Sequence, residues 1–276
     1  MALDVREYWD FEDPSASEIK FRDLLDKGNL SREEYLEVWA QIARTFSLRR
    51  DCLHCHTLLD EHWDEAVAIG GRPKACFELE RGRAFRSGKE VEKSIPFFES
   101  AVLSGDDDLK VDAMHMLAII SESEDAIHIN KDALAFTMAS SQPWAQRWEG
   151  TLCNNLAWSF FEAQDYATAL KYFQQAVDAR TKFGQTTSIH VAKWCVGHCH
   201  RMAGNLEKAL EIQMELSLGE PDGYVSEELG EIFLAQGNPE AAKLHFAKAV
   251  ELLEAELGKD SERIQIMKSL VAQAIN

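Results

Sequence analysis

The sequence predicts an all-α protein, a right-handed superhelix of about six stacked helical hairpins with a leading helix and a closing helix, and three observations predict it. Apolar residues recur at helical spacing, and long polar-apolar alternations, the mark of half-buried strands, are absent. Helix breakers are sparse, with 6 prolines and 15 glycines among 276 residues. A small residue with an aromatic three positions later returns along the chain in one frame, and such internal periodicity marks a repeat architecture.

The clearest copies are Ala157, Phe160, Ala169, Phe173 and Ala176, and Gly230, Phe233, Ala242, Phe246 and Ala249. Gly197 with His200, then Ala209, Gln213 and Leu216, keeps the same offsets more weakly. Gly82, Phe85, Ser94, Phe98 and Ala101 make another copy, and Ala43, Phe46, Cys55 and Leu59 a fifth. Ala118 opens a sixth, whose second half loses the offsets. The small residues stand at 43, 82, 118, 157, 197 and 230. Glycine or alanine where two helices cross lets their backbones approach, and the aromatics fill the space beside the crossing. One hairpin cannot bury its apolar face alone, so hairpins must stack.

The punctuation between elements follows the same frame. Asp13 before Pro14 reads as an N-cap and first helical position, and Gly28 closes that leading helix. Ser31 with Glu34 has capping-box spacing ahead of Tyr35, Val38, Trp39 and Ile42. Turns are expected at Gly70-Gly71, Gly105, Gln142-Pro143, Gly204-Asn205, Pro221-Asp222-Gly223 and Gly237-Asn238-Pro239. These stops delimit about fourteen helices, the last near 260–274 and placed to cover the apolar face of the final repeat. The expected organisation is a leading segment over 1–30, repeats over 31–257 and a capping helix over 258–276, as one continuous solenoid.

On these residues the chain resembles the tetratricopeptide repeat, a small residue and an aromatic on a first helix followed by Ala, Phe and Ala on a second. The likeness runs over roughly residues 32 to 257, with steps mostly longer than the usual ~34 residues. The stretches Trp148 to Trp158 and Asp222 to Glu231 look like those of stand-alone bacterial proteins of this type. The resemblance implies that first helices line a concave groove, through positions three before, one after and four after each small residue. Those positions hold Arg44, Arg83, Arg86, Asn154, Trp158, Phe161, Trp194, His198, Arg201, Glu227, Glu231 and Leu234, with Tyr224 one turn earlier.

Composition narrows the function. With 47 acidic against 29 basic side chains the formal charge is -18, a field that repels phosphate backbones and anionic membranes. No apolar run approaches the roughly 20 residues of a membrane span, and residues 1–13 lack the basic and apolar parts of a signal peptide, so the expected location is the cytoplasm. The six cysteines lie within apolar-periodic segments and are expected as reduced, buried thiols. Cys52 to His56 and Cys195 to His200 carry Cys and His at helical spacing, which suits zinc. The repeat frame assigns them to packing instead: Cys55 fills a slot for a small buried residue, and Cys195, Cys199 and His200 flank Gly197. No metal and no cofactor are expected.

Phosphate-loop, nucleophile-elbow, H-E-x-x-H and G-x-G-x-x-G motifs are all absent, so the chain is not read as an enzyme. The expected function is an adaptor or scaffold that holds a peptide or partner protein in the groove, the arginines pairing with acidic groups of the ligand. A ligand-responsive regulator is the alternative, and a metal-dependent enzyme the third reading. Against the groove stands a simpler account, in which the arginines pair with acids on neighbouring helices and the tryptophans are core.

Overall fold

The structure, a computed structural model, describes residues 3–103 and 106–273. Helices are its only regular secondary structure among those residues, and their packing divides the chain into two compact units, Met1–Trp148 and Glu149–Asn276. The first unit holds a 3-10 turn at Val5–Tyr8 and helices α1 (Pro14–Asp26), α2 (Arg32–Leu48), α3 (Cys52–Ile69), α4 (Gly71–Ser87), α5 (Val91–Val102), α6 (Asp107–Ile120), α7 (Ser123–Ala139) and the one-turn α8 (Pro143–Gln146). The second holds α9 (Glu149–Glu162), α10 (Tyr166–Lys182), α11 (Thr186–Met202), α12 (Leu206–Leu216), α13 (Gly223–Ala235), α14 (Pro239–Leu257) and α15 (Glu262–Gln273). Within each unit every long helix packs on the next. First helices also pack on each other, α2 on α4, α4 on α6 and α11 on α13. This is the stacking expected of a tetratricopeptide-like solenoid.

The expected caps form. The Asp13 side chain accepts from the Ala16 N–H, Ser31 and Glu34 make a reciprocal capping box, and Asp222 accepts from the N–H groups of Tyr224 and Val225. The turn expected at Gly105 and the end of the last helix at Ala274 lie outside the described residues. Helix α15 covers the last hairpin as expected, with Ile264 and Met267 buried against Phe246, Ala249 and Leu253.

The small residues sit where a side chain would collide. A Cβ on Gly230 would lie 2.8 Å from the Phe246 ring, and one on Gly82 would lie 2.5 Å from the Phe98 ring. Ala157 is likewise buried in one cluster with Phe173. In each pair the ring stands sixteen residues after the small residue, and these three phenylalanines are fully buried, worth about 1.5–3 kcal/mol each in transfer free energy. In the weak copy a Cβ on Gly197 would instead meet the Gln213 amide nitrogen at 2.6 Å.

The turn inside the hairpins also repeats. Seven residues after the small residue, Arg50, Lys89, Gln164, Gly204 and Gly237 all have positive φ, between 61° and 80°. In each case the following N–H reaches back 2.9 Å to the carbonyl five residues before it: Asp51 to Phe46, Glu90 to Phe85, Asp165 to Phe160, Asn205 to His200 and Asn238 to Phe233. This is the Schellman arrangement, which satisfies carbonyls left over at a helix end. The residue after the turn opens the second helix. The hairpin α6–α7 departs from the pattern: Ser121 is extended, and α7 begins at Ser123. That is the copy whose sequence offsets failed.

Five cysteines are buried and Cys52 is half-buried. Burial pushes the thiols of Cys153 and Cys195 up to about 12 and that of Cys199 to about 11, which keeps them protonated and unreactive near neutral pH. Among the described residues no group of three or more His, Cys, Asp or Glu side chains is placed to hold a metal ion. Three histidines of the two Cys/His clusters have other neighbours: His54 contacts Asp51, His56 lies against Phe85, and His198 contacts Glu228, while the buried Nδ1 of the fourth, His200, makes no hydrogen bond among the described residues.

Candidate functional site

The second unit gathers most of the expected groove residues on its first helices. On α9, Trp158 rests edge-on against Phe173 at 5.3 Å and against Phe161 at 5.1 Å, while Asn154 is half-buried one turn earlier. On α11, the Trp194 ring stacks on His198 with centroids 5.0 Å apart, and its Nε1 donates to the Tyr224 carbonyl at 3.2 Å. Trp158 therefore serves the core, whereas Trp194 bridges two first helices.

Between α11 and α13 lies a buried ionic knot. Arg201 donates from Nε to Glu228 Oε1 at 2.7 Å and from Nη2 to Oε2 at 3.1 Å, and His198 Nδ1 stands 3.0 Å from the same Oε2. Burial raises the Glu228 carboxyl, but the hydrogen bonds from His198 and Arg201 outweigh it and hold the group below its ordinary value. Glu231, 4.0 Å from Arg201, goes the other way: burial raises it, and Arg201 does not compensate. Tyr224 donates its hydroxyl to Glu256 at 2.8 Å, and Glu227 takes Arg263 of α15 at 2.6 Å.

These side chains surround open space. A cavity of about 350 Å³ is lined by His190, Val191, Trp194, Asp222, Tyr224 and Arg263. A smaller one of about 140 Å³ shares Trp194, Tyr224 and Arg263 and extends to Arg201, Glu228 and Glu231. Arg263 lies 5.0 Å over the Tyr224 ring and so borders both. Such concave sites, apolar with a few placed polar groups, are where ligands bind. Arg263, Glu228, His190 and Glu256 were not among the residues picked from the sequence. Arg263 sits on a helix expected only to cap, but Glu228 had a signal: it stands two residues before Gly230, as Glu80 stands before Gly82.

Arg44, Arg83 and Arg86 lie in the first unit. Arg83 donates to Glu80 and to Asp112, both at 2.5 Å, and its side chain is only 12% exposed. Arg44 stands 3.7 Å from Glu80 and 5.5 Å under each of the Trp9 and Phe11 rings. Burial pushes the Arg44 guanidinium down, with Arg83 adding to it, while the pull of Arg83 and Arg44 on Asp112 overcomes burial and lowers that carboxyl. Arg86 is exposed on α4 and makes no ion pair among the described residues. Of the expected arginines, Arg83 and Arg201 thus spend their hydrogen bonds on acids of neighbouring helices.

The fold is that of an all-helical repeat protein of the tetratricopeptide type. The tetratricopeptide repeat family matches residues 150–182, the hairpin α9–α10. No curated protein matches the chain by sequence. Among solved structures, the apo form of RapI aligns with a TM-score of 0.75 at 14% identity, over 99% of this chain and 81% of that one. A signal-transduction ATPase with a tetratricopeptide repeat sensor from Pyrococcus horikoshii gives 0.70 at 12% identity, over 95% of this chain and 42% of that one. NprR in complex with its cognate peptide NprX gives 0.54 at 14% identity, over 98% and 81%. At these identities the likeness is one of fold. No helix among the described residues is long and apolar enough to cross a membrane.

Proposed function

We propose that the chain is an interaction module that holds a peptide segment of a partner protein on the first-helix face of its second unit. The observation that carries this reading is the cavity between Trp194, Val191 and Tyr224, bordered by Arg263, which shares Trp194, Tyr224 and Arg263 with the smaller one that reaches Glu231. An apolar side chain of the ligand enters between Trp194 and Tyr224, where a rigid aromatic wall gives contact at little entropic cost. Repeat arrays of this kind present extended binding surfaces, and the likeness to a fold solved with a bound peptide supports a peptide ligand here.

Charge favours a basic neighbour for that anchor over the acidic ligand expected from the arginine count. Arg201 and Arg263 are already paired with Glu228 and Glu227. Glu231 is the carboxylate left incompletely paired, and a Lys or Arg of the ligand would satisfy it.

The test is a peptide-array screen at two salt concentrations, followed by titration of the best binder. Trp194→Ala is expected to weaken binding by about 2 kcal/mol or more, and Glu231→Gln to remove most of the salt dependence. Full affinity in Trp194→Ala rejects the cavity as the site. Array hits dominated by acidic peptides would return the ligand to the carboxylate class.

A further inference from the structure

The first unit carries a second face of the same kind, and there the chain's own residues 3–11 lie across it. Leu3 donates its N–H to Glu34 at the start of α2. Arg6 donates to Asp108 of α6 at 3.1 Å while its guanidinium lies 3.6 Å over the Trp144 ring of α8. Trp9 donates from Nε1 to Gln41 of α2 at 2.9 Å, and Phe11 stacks on Trp9 at 4.8 Å, both above Arg44. The segment thus spans α2 to α8 with side-chain contacts, its only regular structure being one 3-10 turn. Val5 is its buried plug, beside Phe21 and Val38.

The fit beneath is incomplete. Arg44 Nε and Glu80 Oε2 are buried and find no hydrogen-bond partner, although Glu80 is only 2% exposed. A segment whose whole purpose was to complete this core would satisfy both, because an unpartnered buried polar atom is costly. Arg44 Nε lacks a group that accepts from a guanidinium, and Glu80 Oε2 lacks one that donates to a carboxylate. A peptide unit or a carboxamide side chain offers both.

We infer that the first-helix face of the first unit is a second peptide-binding site, closed by residues 3–11 as a tethered occupant and opened by a partner segment of like chemistry. That segment carries a basic residue for Asp108 and an aromatic three residues later for Gln41 and Arg44, as Arg6 and Trp9 do, and brings an amide to Arg44 and Glu80. The tether gives the resident segment a high effective concentration, so an external peptide sees its affinity reduced by the fraction of chains that are closed.

The test uses the full chain and one probe, a fluorescent synthetic peptide with the sequence of residues 3–13. Arg6→Ala/Trp9→Ala loosens the resident segment and is expected to bind the probe at least about tenfold more tightly than the wild-type chain. Adding Asp108→Asn and Gln41→Ala to that variant should abolish the gain. Equal binding by wild type and double variant, or a gain that survives the added substitutions, overturns the inference. A double variant that has lost its helical circular dichroism overturns it too, since the segment would then be part of the core. None of these substitutions touches the Trp194 cavity, so this site and the one in the second unit succeed or fail separately.

Discussion

Glu80 in the first unit and Glu228 in the second occupy the same place in the repeat, two residues before a glycine crossing, and both are almost fully buried. Each faces a residue one position after the small residue of the preceding repeat, Arg44 for Glu80 and His198 for Glu228. Their surroundings differ. Both oxygens of Glu228 accept hydrogen bonds, and Arg201, 18% exposed, borders an open cavity. Glu80 is pinned between Arg83 and Arg44, one of its oxygens is unpartnered, and the Trp9 and Phe11 rings lie over Arg44. One repeat position has therefore been built once as a satisfied wall beside a cavity and once as an incomplete knot beneath the chain's own segment.

Removing the two carboxylates is the strongest way to break that equivalence. Glu80→Ala should cost on the order of 3–5 kcal/mol, because Arg44 is left buried without a counter-charge. Glu228→Ala should cost about 1–3 kcal/mol, since Arg201 can turn to Glu231 and water. Equal losses in chemical denaturation would show that the two sites are energetically alike after all. The crossings give a middle-sized contrast. Gly230→Leu overpacks against the Phe246 ring and should lose about 1–3 kcal/mol in the same measurement, whereas Gly197→Ala presses on the buried Gln213 amide, which donates to the Trp194 carbonyl, and should lose about 1 kcal/mol, the worth of that hydrogen bond. The smallest effect concerns the turns: Gln164→Gly relieves a left-handed backbone that a side chain disfavours and should stabilise by about 0.5 kcal/mol. The same change at Gln236, next to a turn already made by Gly237, should not stabilise.

Much of the fold was legible because its determinants are local. A small residue, its partner sixteen positions on and a polar cap can be read from one window of sequence, as at Gly230, Phe246 and Asn238. The left-handed turns at Arg50, Lys89 and Gln164 were not legible, since none is glycine and backbone hydrogen bonds alone hold the conformation. The first-helix face was also readable, which is why Trp194, His198 and Arg201 were found together. Their pairing was not, because the acids come from the next repeat: Arg201 and Glu228 are 27 residues apart, Arg83 and Asp112 29. The role of Trp9 and Phe11 was hidden for the same reason, as nothing near them in sequence announces Gln41 or Arg44.

The shared hairpin turn has a consequence for how such a chain can change. Five hairpins leave their first helix through the same backbone geometry and re-enter through the same position, so a hairpin is a cassette with standard ends. Nearest-neighbour contacts dominate in repeat arrays. A hairpin duplicated or exchanged between two such ends keeps its own geometry and must renegotiate only the faces it shares with its neighbours. The α6–α7 hairpin lacks the standard joint, which makes it the place where a duplication would be expected to stop.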